Sequence, residues 1–195
     1  MDLELLKRET AMDHERVEQS LRVMEPELDR SGYIDTLKSL YGFIRGWEIW
    51  AEEVAPGELR EQVKARRRSS LLVSDLNFFA ARPPENFYLG PNLTSTSNAE
   101  VLGAMYVIEG STLGGQHIAR HVEQVLSLAP GHGDAYFRGY GERTGEMWRE
   151  MKALLQAVPD SEANAVIFAA RTLFSDFAGW NVSFGVITSQ GRMNV

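Results

Sequence analysis

The chain has 195 residues, no cysteine, and 20 Lys and Arg against 27 Asp and Glu, which gives a net charge of −7. The acidic balance disfavours general binding to nucleic acid or to an acidic membrane, and the lack of cysteine excludes disulfides, thiol nucleophiles and iron–sulfur centres. No membrane-length apolar run occurs and the N-terminal segment is rich in acids, so we expect a cytoplasmic protein without a membrane segment. The length suits one domain over residues 1–195.

Helical spacing of apolar residues dominates the sequence, and strand-like alternation is nearly absent. Helices are predicted over residues 2–24, 31–56 with Ser31 as its cap, 59–80, from a cap among residues 95–97 to 128, 134–158 and 161–180. The fifth is open to interruption at Gly139 and Gly141, a loop covers 82–98, and the tail after Asn181 is assigned no element. This pattern predicts an all-α, single-domain, multi-helix bundle.

The first predicted helix carries a histidine in its apolar stripe. Thr10 and His14 fill the gaps between Leu6 and Val17, which predicts that His14 faces inward. A lone histidine of this kind is more often a satisfied core residue than a ligand. Glu18, one turn further on, favours a role for His14 as a metal ligand, because a metal-bound histidine commonly presents its second nitrogen to a carboxylate. An ordinary i,i+4 pair stays an alternative.

The fourth predicted helix contains the sequence Tyr-Val-Ile-Glu-Gly-Ser-Thr-Leu-Gly-Gly-Gln at 106–116. Each glycine inside a helix costs roughly 1 kcal/mol relative to alanine. Gly103, Gly110 and Gly114 are spaced to share one face, and Gly115 widens the bare patch. This face indicates either close helix packing or close approach of the backbone to a planar cofactor, and the small residues also predict a kink in the helix.

The remaining histidines and basic residues give weaker signals. His117 and His121 are one turn apart, but the glutamate of an H-E-x-x-H zinc motif is missing, and His132 lies in a predicted loop. The triplet Arg66, Arg67 and Arg68 is predicted to be exposed, either as a solvated helix face or as a docking patch for an acidic electron-transfer partner. Lys7, two turns before His14, is placed to reach a ligand carboxylate or simply to snorkel.

Two segments resemble a known family. Positions 6–18, Leu-Lys-Arg-Glu-Thr-Ala-Met-Asp-His-Glu-Arg-Val-Glu, resemble the proximal helix of haem oxygenases. Positions 106–116 resemble the kinked distal helix of that family, above all its bacterial, bacteriophytochrome-associated branch with an E-G-S-x-L-G pattern. The Tyr-Phe-Arg-Gly-Tyr-Gly run at 136–141 and the segment before Trp180 are similar to the same branch, so the resemblance covers the chain to about that residue.

The resemblance implies a fold in which haem lies between the first helix and the distal helix, and it implies a role for each matching residue. His14 becomes the iron ligand, and Gly110, Ser111 and Gly114 become the catalytic distal residues, with Ser111 standing where mammalian members place an aspartate. The implied haem-binding residues are Lys7 at a propionate, Thr10 on the proximal side, Glu18 behind His14, Tyr106, Arg138 as a second propionate partner, and Phe168 and Phe174 in an aromatic wall.

The activity implied by the resemblance is oxidative cleavage of haem by dioxygen to biliverdin, carbon monoxide and ferrous iron. Electrons come from an external ferredoxin or reductase, since the sequence contains no nucleotide-binding fingerprint, and a bilin-accepting photoreceptor is a further partner. The alternatives are a non-catalytic haem carrier or sensor of the same fold, and a helical enzyme acting on another small ring system such as thiamine-type degradation products. The acidic and cysteine set of the last class is absent.

Overall fold

Helices make up the regular secondary structure of this computed structural model, which describes residues 1–93 and 96–192. No strand occurs among those residues, so the predicted all-α fold is confirmed. The α-helices are α1 (Leu3–Ser20), α2 (Arg30–Val54), α3 (Gly57–Ala65), α4 (Ser69–Phe78), α5 (Asn98–Leu126), α6 (Ala135–Arg138), α7 (Thr144–Gln156) and α8 (Ala163–Arg192). Short 3₁₀ turns cover Arg22–Met24, Gly141–Arg143 and Asp160–Glu162.

The helix starts follow local capping chemistry. Ser97 begins α5 with a capping box, in which its hydroxyl accepts from the backbone N–H of Glu100 and the Glu100 carboxylate accepts from the Ser97 N–H. The cap of α2 is Asp29 rather than the predicted Ser31, because the Asp29 carboxylate accepts from Gly32 N at 2.7 Å. The cap and the start of α2 therefore lie two residues earlier than predicted.

The third predicted helix is two helices. The backbone leaves the helical conformation at Arg66 (φ −104°, ψ 7°) and Arg68 (φ −137°, ψ 1°), which separates α3 from α4. A break also divides the fifth predicted helix, where Gly139 and Gly141 adopt φ of +58° and +59° between α6 and α7. The second break was anticipated from glycine, whereas no glycine or proline marks the first.

α8 extends past Trp180 to Arg192, so most of the tail that the sequence left unassigned is helical, and residues 193–195 lie outside the described residues. α8 packs along both α1 and α5, and α2 lies on α3, α4 and α8. A single apolar core joins these helices around Tyr33, Phe43 and Trp47 of α2, all fully buried.

Candidate functional site

α5 approaches the N-terminal segment at two places, once on α1 and once beyond it. The Tyr106 phenol lies beside the Thr10 hydroxyl of α1, and His121 Nε2 lies 3.2 Å from the carbonyl oxygen of Glu25, just beyond the 3₁₀ turn that follows α1. Both pairs have the same separation in sequence, 96 residues. The two contacts are about 22 Å apart along α5 at the usual rise of 1.5 Å per residue.

Between these contacts the described backbones of α1 and α5 stand apart, and both pack on α8 instead. We call the space between α1 and α5, above α8, the groove. Counting four and eight residues on from Thr10 and Tyr106 pairs His14 with Gly110 and Glu18 with Gly114. The two sequence motifs therefore correspond in this register.

His14 is more exposed than its apolar stripe predicts. Its side chain is 51% exposed, whereas the buried stripe of α1 consists of Leu6, Thr10, Asp13 and Val17. Asp13 takes the buried place because its carboxylate accepts from Arg171 Nε of α8 at 2.9 Å. The prediction that His14 faces the core is wrong, and its ring lies at the border of the groove instead.

Two neighbours orient the His14 ring. The Nδ1 atom lies 3.6 Å from Glu18 Oε1, which is ion-pair distance rather than a hydrogen bond. The edge-to-face ring of Phe174, from α8, has its centre 5.6 Å from that of His14 at an interplanar angle of 84°. With Nδ1 directed towards a carboxylate, Nε2 is the nitrogen available to a ligand.

The glycines of α5 serve two different purposes. A methyl group on Gly103 would collide with the carbonyl oxygen of Val166 in α8, and one on Gly115 would collide with that of Phe137 in α6. A methyl group on Gly110 or Gly114 would meet nothing within 4 Å. Since Gly110 follows Gly103 by two helical turns, the same face of α5 packs on α8 at one level and is open at the next.

Tyr106 and Thr10 close one end of the groove. Thr10 is 2% exposed and its hydroxyl donates to Leu6 O at 2.8 Å, while the Tyr106 ring lies 5.9 Å from that of Trp148 in α7. Burial raises the pKa of the Tyr106 phenol, which keeps it a neutral hydrogen-bond donor. Lys7 is exposed one turn before Thr10, at the mouth of this end.

Most of the chain matches a known protein family. The model of the heme oxygenase family matches residues 2–181. The chain belongs to the haem oxygenase family. It is a haem-degrading oxidoreductase of that family.

Solved haem oxygenases share the fold at low sequence identity. The NO- and CO-bound haem oxygenase from Neisseria meningitidis matches with a TM-score of 0.76 and 20% identity, over 93% of this chain and 91% of that one. The haem oxygenase from Leptospira interrogans matches with a TM-score of 0.72 and 19% identity, over 91% and 96% of the two chains. A comparison with curated protein sequences finds no match.

The groove fits haem on two structural criteria. Gly110 and Gly114 leave one wall without side chains, which a flat ligand requires, and the opposite wall offers an accessible imidazole with a carboxylate behind it. None of the described helices contains a stretch apolar enough to cross a bilayer.

The arginine triplet was predicted to be a surface patch, and this prediction is wrong for two of its three members. Arg66 and Arg68 are 1% and 2% exposed, and only Arg67 keeps a side chain at the surface, where it pairs with Glu52 at 3.2 Å. The break between α3 and α4 turns the flanking arginines towards α5. An electron-donor docking site at this triplet is therefore not supported.

A buried polar network stands behind the groove wall of α5. Arg68 Nη2 donates to Ile108 O at 2.8 Å and to Ser111 Oγ at 3.3 Å, and the Tyr140 hydroxyl donates to Glu109 Oε1 at 2.5 Å. Burial raises the pKa of Glu109, although Tyr140 and the nearby arginines oppose that shift. A glutamate inside an apolar helical run, as in Tyr-Val-Ile-Glu, is the sequence signal that would have indicated a buried cationic partner.

Arg138 lies away from the proposed propionate end. Its guanidinium pairs with both Asp134, at 2.6 Å, and Glu123, which follows Tyr106 by about 25 Å of helix. Lys7 and Arg138 are thus at opposite ends of the groove, so they cannot hold two neighbouring propionates. The structure gives Arg138 a different role, as the partner of two carboxylates.

The aromatic wall consists of Phe174 without Phe168. Phe174 is 5% exposed against His14, whereas Phe168 is half exposed. Six residues on a helix correspond to about 240°, so the two rings point in different directions from α8. The predicted contribution of Phe168 to the haem wall is not supported.

The other histidines have separate environments. His121 binds Glu25 O, His117 is exposed, and His132 Nδ1 lies 3.2 Å from Pro130 O in its loop. Among the described residues, no group of three metal-ligating side chains converges. A cavity of about 520 Å³ lies elsewhere, between the C-terminal part of α1, the start of α2 and α8, and its lining includes Ser20, Ser39 and Asn181.

Proposed function

We propose that the protein binds haem in the groove between α1 and α5, with His14 as the iron ligand. The product set that we propose is biliverdin, carbon monoxide and ferrous iron. The observation that supports this proposal is the equal spacing of the two contacts, 96 residues in each, which by residue count pairs His14 and Glu18 with Gly110 and Gly114, where α5 has no side chain. Haem supplies the redox-active iron and is itself the molecule that is oxidised.

Each residue of the groove has a distinct task in this proposal. Glu18 orients the His14 ring through Nδ1, which leaves Nε2 as the atom that would hold the iron, and Phe174 supports the ring from α8. Gly110 and Gly114 leave room for dioxygen and bring backbone groups close to it. Through Ser111, whose hydroxyl donates to Ile108 O at 2.6 Å, the distal wall is joined to Arg68.

The closed end of the groove sets the position of the porphyrin. Tyr106 and Thr10 join the two walls there, and the exposed ammonium group of Lys7 is available to a propionate. Phe168 and Arg138, the two remaining residues assigned by resemblance, are left out of this site because of their positions.

Electrons are proposed to come from a separate ferredoxin or reductase, because the chain lacks a nucleotide-binding fingerprint and cysteine. Membership of the bacteriophytochrome-associated branch, a cytoplasmic location and transfer of the product to a photoreceptor stay predictions from the sequence.

A haemin titration tests the ligand assignment. The wild-type chain is expected to bind one haem and give a histidine-ligated spectrum, and His14→Ala should lose that spectrum. His117→Ala is the comparison variant, since His117 is an exposed histidine of α5 that lies two turns after Gly110 and so shares its face. A spectrum that survives in His14→Ala and disappears in His117→Ala would show that His117, and not His14, is the iron ligand.

Turnover tests the reaction. With ascorbate or a ferredoxin and its reductase, the haem absorbance should give way to that of a bilin, with release of carbon monoxide. Haem that stays bound and intact with every reductant would refute the proposed product set.

A further inference from the structure

Arg68 is a buried cation that no ion pair accounts for. Its side chain is fully buried, Nε has no hydrogen-bond partner, and no described carboxylate oxygen lies within 4.0 Å of it. The ring centres of Tyr136 and Tyr140 lie 5.0 and 5.6 Å from the guanidinium carbon, and the carboxylates of Glu109 and Glu48 stabilise its charge from a longer distance. Burying such a group costs more free energy than burying an apolar side chain of similar size, so stability alone does not explain it.

The backbone of Arg68 is held in place by a buried carboxylate. Glu48 of α2 is fully buried, and its Oε1 atom accepts from the backbone N–H of Arg68 at 2.7 Å and of Ser69 at 2.8 Å. Its Oε2 atom accepts from Ser69 Oγ at 2.5 Å. A carboxylate that caps the start of α4 in this way fixes the backbone from which the Arg68 side chain extends.

The other end of Arg68 grips one turn of α5. The carbonyl oxygen of Ile108 accepts from Arg68 Nη2 at 2.8 Å and from Ser111 Oγ at 2.6 Å. The Arg68 donor thus ties the start of α4 to the backbone of this turn of α5. Gly110 lies inside this turn.

That turn of α5 is intrinsically weak. Gly110, Gly114 and Gly115 lie within six residues, and each glycine favours the helix less than alanine would. Gly110 and Gly114 have no packing neighbour on their open side. Contacts from behind must therefore hold this wall in place.

We infer that Arg68 is a positioning residue of the haem site, which holds the Ile108–Ser111 turn so that the backbone at Gly110 faces the groove. Glu48 belongs to the same device because it anchors the base of Arg68. Arg68 acts on the wall of the site and not on the ligand. The consequence for ligand binding rests on the proposed function, whereas the consequence for α5 does not.

Amide hydrogen exchange on the full chain without haem tests the mechanical part. In Arg68→Met, amides at positions 110–116 should exchange about 10- to 150-fold faster than in the wild type, the factor expected when a charge-assisted hydrogen bond is lost. Rates in α2 should stay unchanged. Arg68→Lys keeps the charge and loses the planar fork, so it should fall between the two.

Arg66→Met is the matched control. Arg66 is equally buried but reaches α5 only through the Glu109 side chain, at 3.5 Å, and not through the backbone. In Arg66→Met, the amides at positions 110–116 should exchange more slowly than they do in Arg68→Met. Equal acceleration in both variants, or no acceleration in Arg68→Met, would overturn the inference. If Arg68→Met does not fold, the exchange rates of the same amides are compared in Arg68→Lys and Ser111→Ala.

The haem-loaded protein tests the consequence for the site. Arg68→Lys should still give the His14-ligated spectrum while its carbon monoxide dissociation rate changes by about tenfold, because the distal wall is no longer held. An unchanged rate would overturn this part. If the wild type binds no haem, the proposed function fails and the exchange result still decides the role of Arg68 in α5.

Discussion

Adding a methyl group to Gly114 should make the protein more stable and its haem site less effective. The position is helical and a Cβ there meets nothing within 4 Å, so alanine gains its full helix propensity. That gain is about 0.5–1 kcal/mol of unfolding free energy, which corresponds to a rise in Tm of about 1–4 °C for a chain of this length.

Gly103→Ala in the same helix is the matched control, and its expected effect has the opposite sign. Its methyl group would collide with Val166 O and approach the Ala169 Cβ at 3.0 Å. Overpacking costs about 1–3 kcal/mol, which exceeds the gain in propensity. We therefore expect Gly103→Ala to lose about 1–2 kcal/mol after the gain in helix propensity is included.

Urea unfolding of both variants without haem measures these changes. In the haem-loaded proteins, the Gly114→Ala methyl group should weaken carbon monoxide binding, because it occupies the open face of α5. A steric cost of about 1–3 kcal/mol corresponds to about a 5- to 150-fold loss of affinity.

Two results would refute this reasoning. The first is destabilisation of Gly114→Ala to the same extent as Gly103→Ala, which would mean that Gly114 is a packing residue. The second is a stabilised Gly114→Ala with unchanged carbon monoxide affinity, which would mean that its open face is not the distal side of the haem.

Three further predictions concern buried charges and the ends of the groove. Burial raises the pKa of Asp75 from 3.8 to about 6, even though its carboxylate accepts hydrogen bonds from Ala135 N and Tyr136 N. Between these two pH values the folded state binds a proton that the unfolded state has lost. The unfolding free energy therefore falls as pH rises from about 4 to 6. The fall is at most about 3 kcal/mol and should be missing in Asp75→Asn, as measured by urea unfolding across this pH range; the same slope in both proteins would contradict it. Lys7→Gln should lower haemin affinity up to about fivefold, the range for an exposed ion pair. Arg138→Gln should leave haemin affinity unchanged and lower stability, because Asp134 and Glu123 lose their shared partner; the reverse outcome would restore Arg138 as a propionate ligand.

Much of the fold could be predicted because it depends on local interactions. Apolar spacing indicates helices wherever one stripe is buried, and caps such as Ser97 with Glu100 act within four residues. The glycines at 139 and 141 indicate a break because their backbone has positive φ. The motif resemblance identified the family in the same way, since each motif is one short helical segment.

The sequence did not separate residues whose roles depend on distant contacts. Nothing near Arg66 and Arg68 indicates burial, because their partners Glu109 and Ile108 lie about forty residues further along the chain. Asp13 and not its neighbour His14 is buried on α1, because Arg171 of α8 donates a hydrogen bond to the Asp13 carboxylate.

The sequence by itself determined the helical class, the family and the two motifs that carry the proposed site. Only the tertiary structure decided how the glycine face of α5 is used, because helix geometry gives Gly103 and Gly110 the same direction. α8 contacts Gly103 and does not reach Gly110, so Gly103 allows close packing and Gly110 lines a groove. The distance between two helices depends on every side chain between them, and no local pattern encodes it.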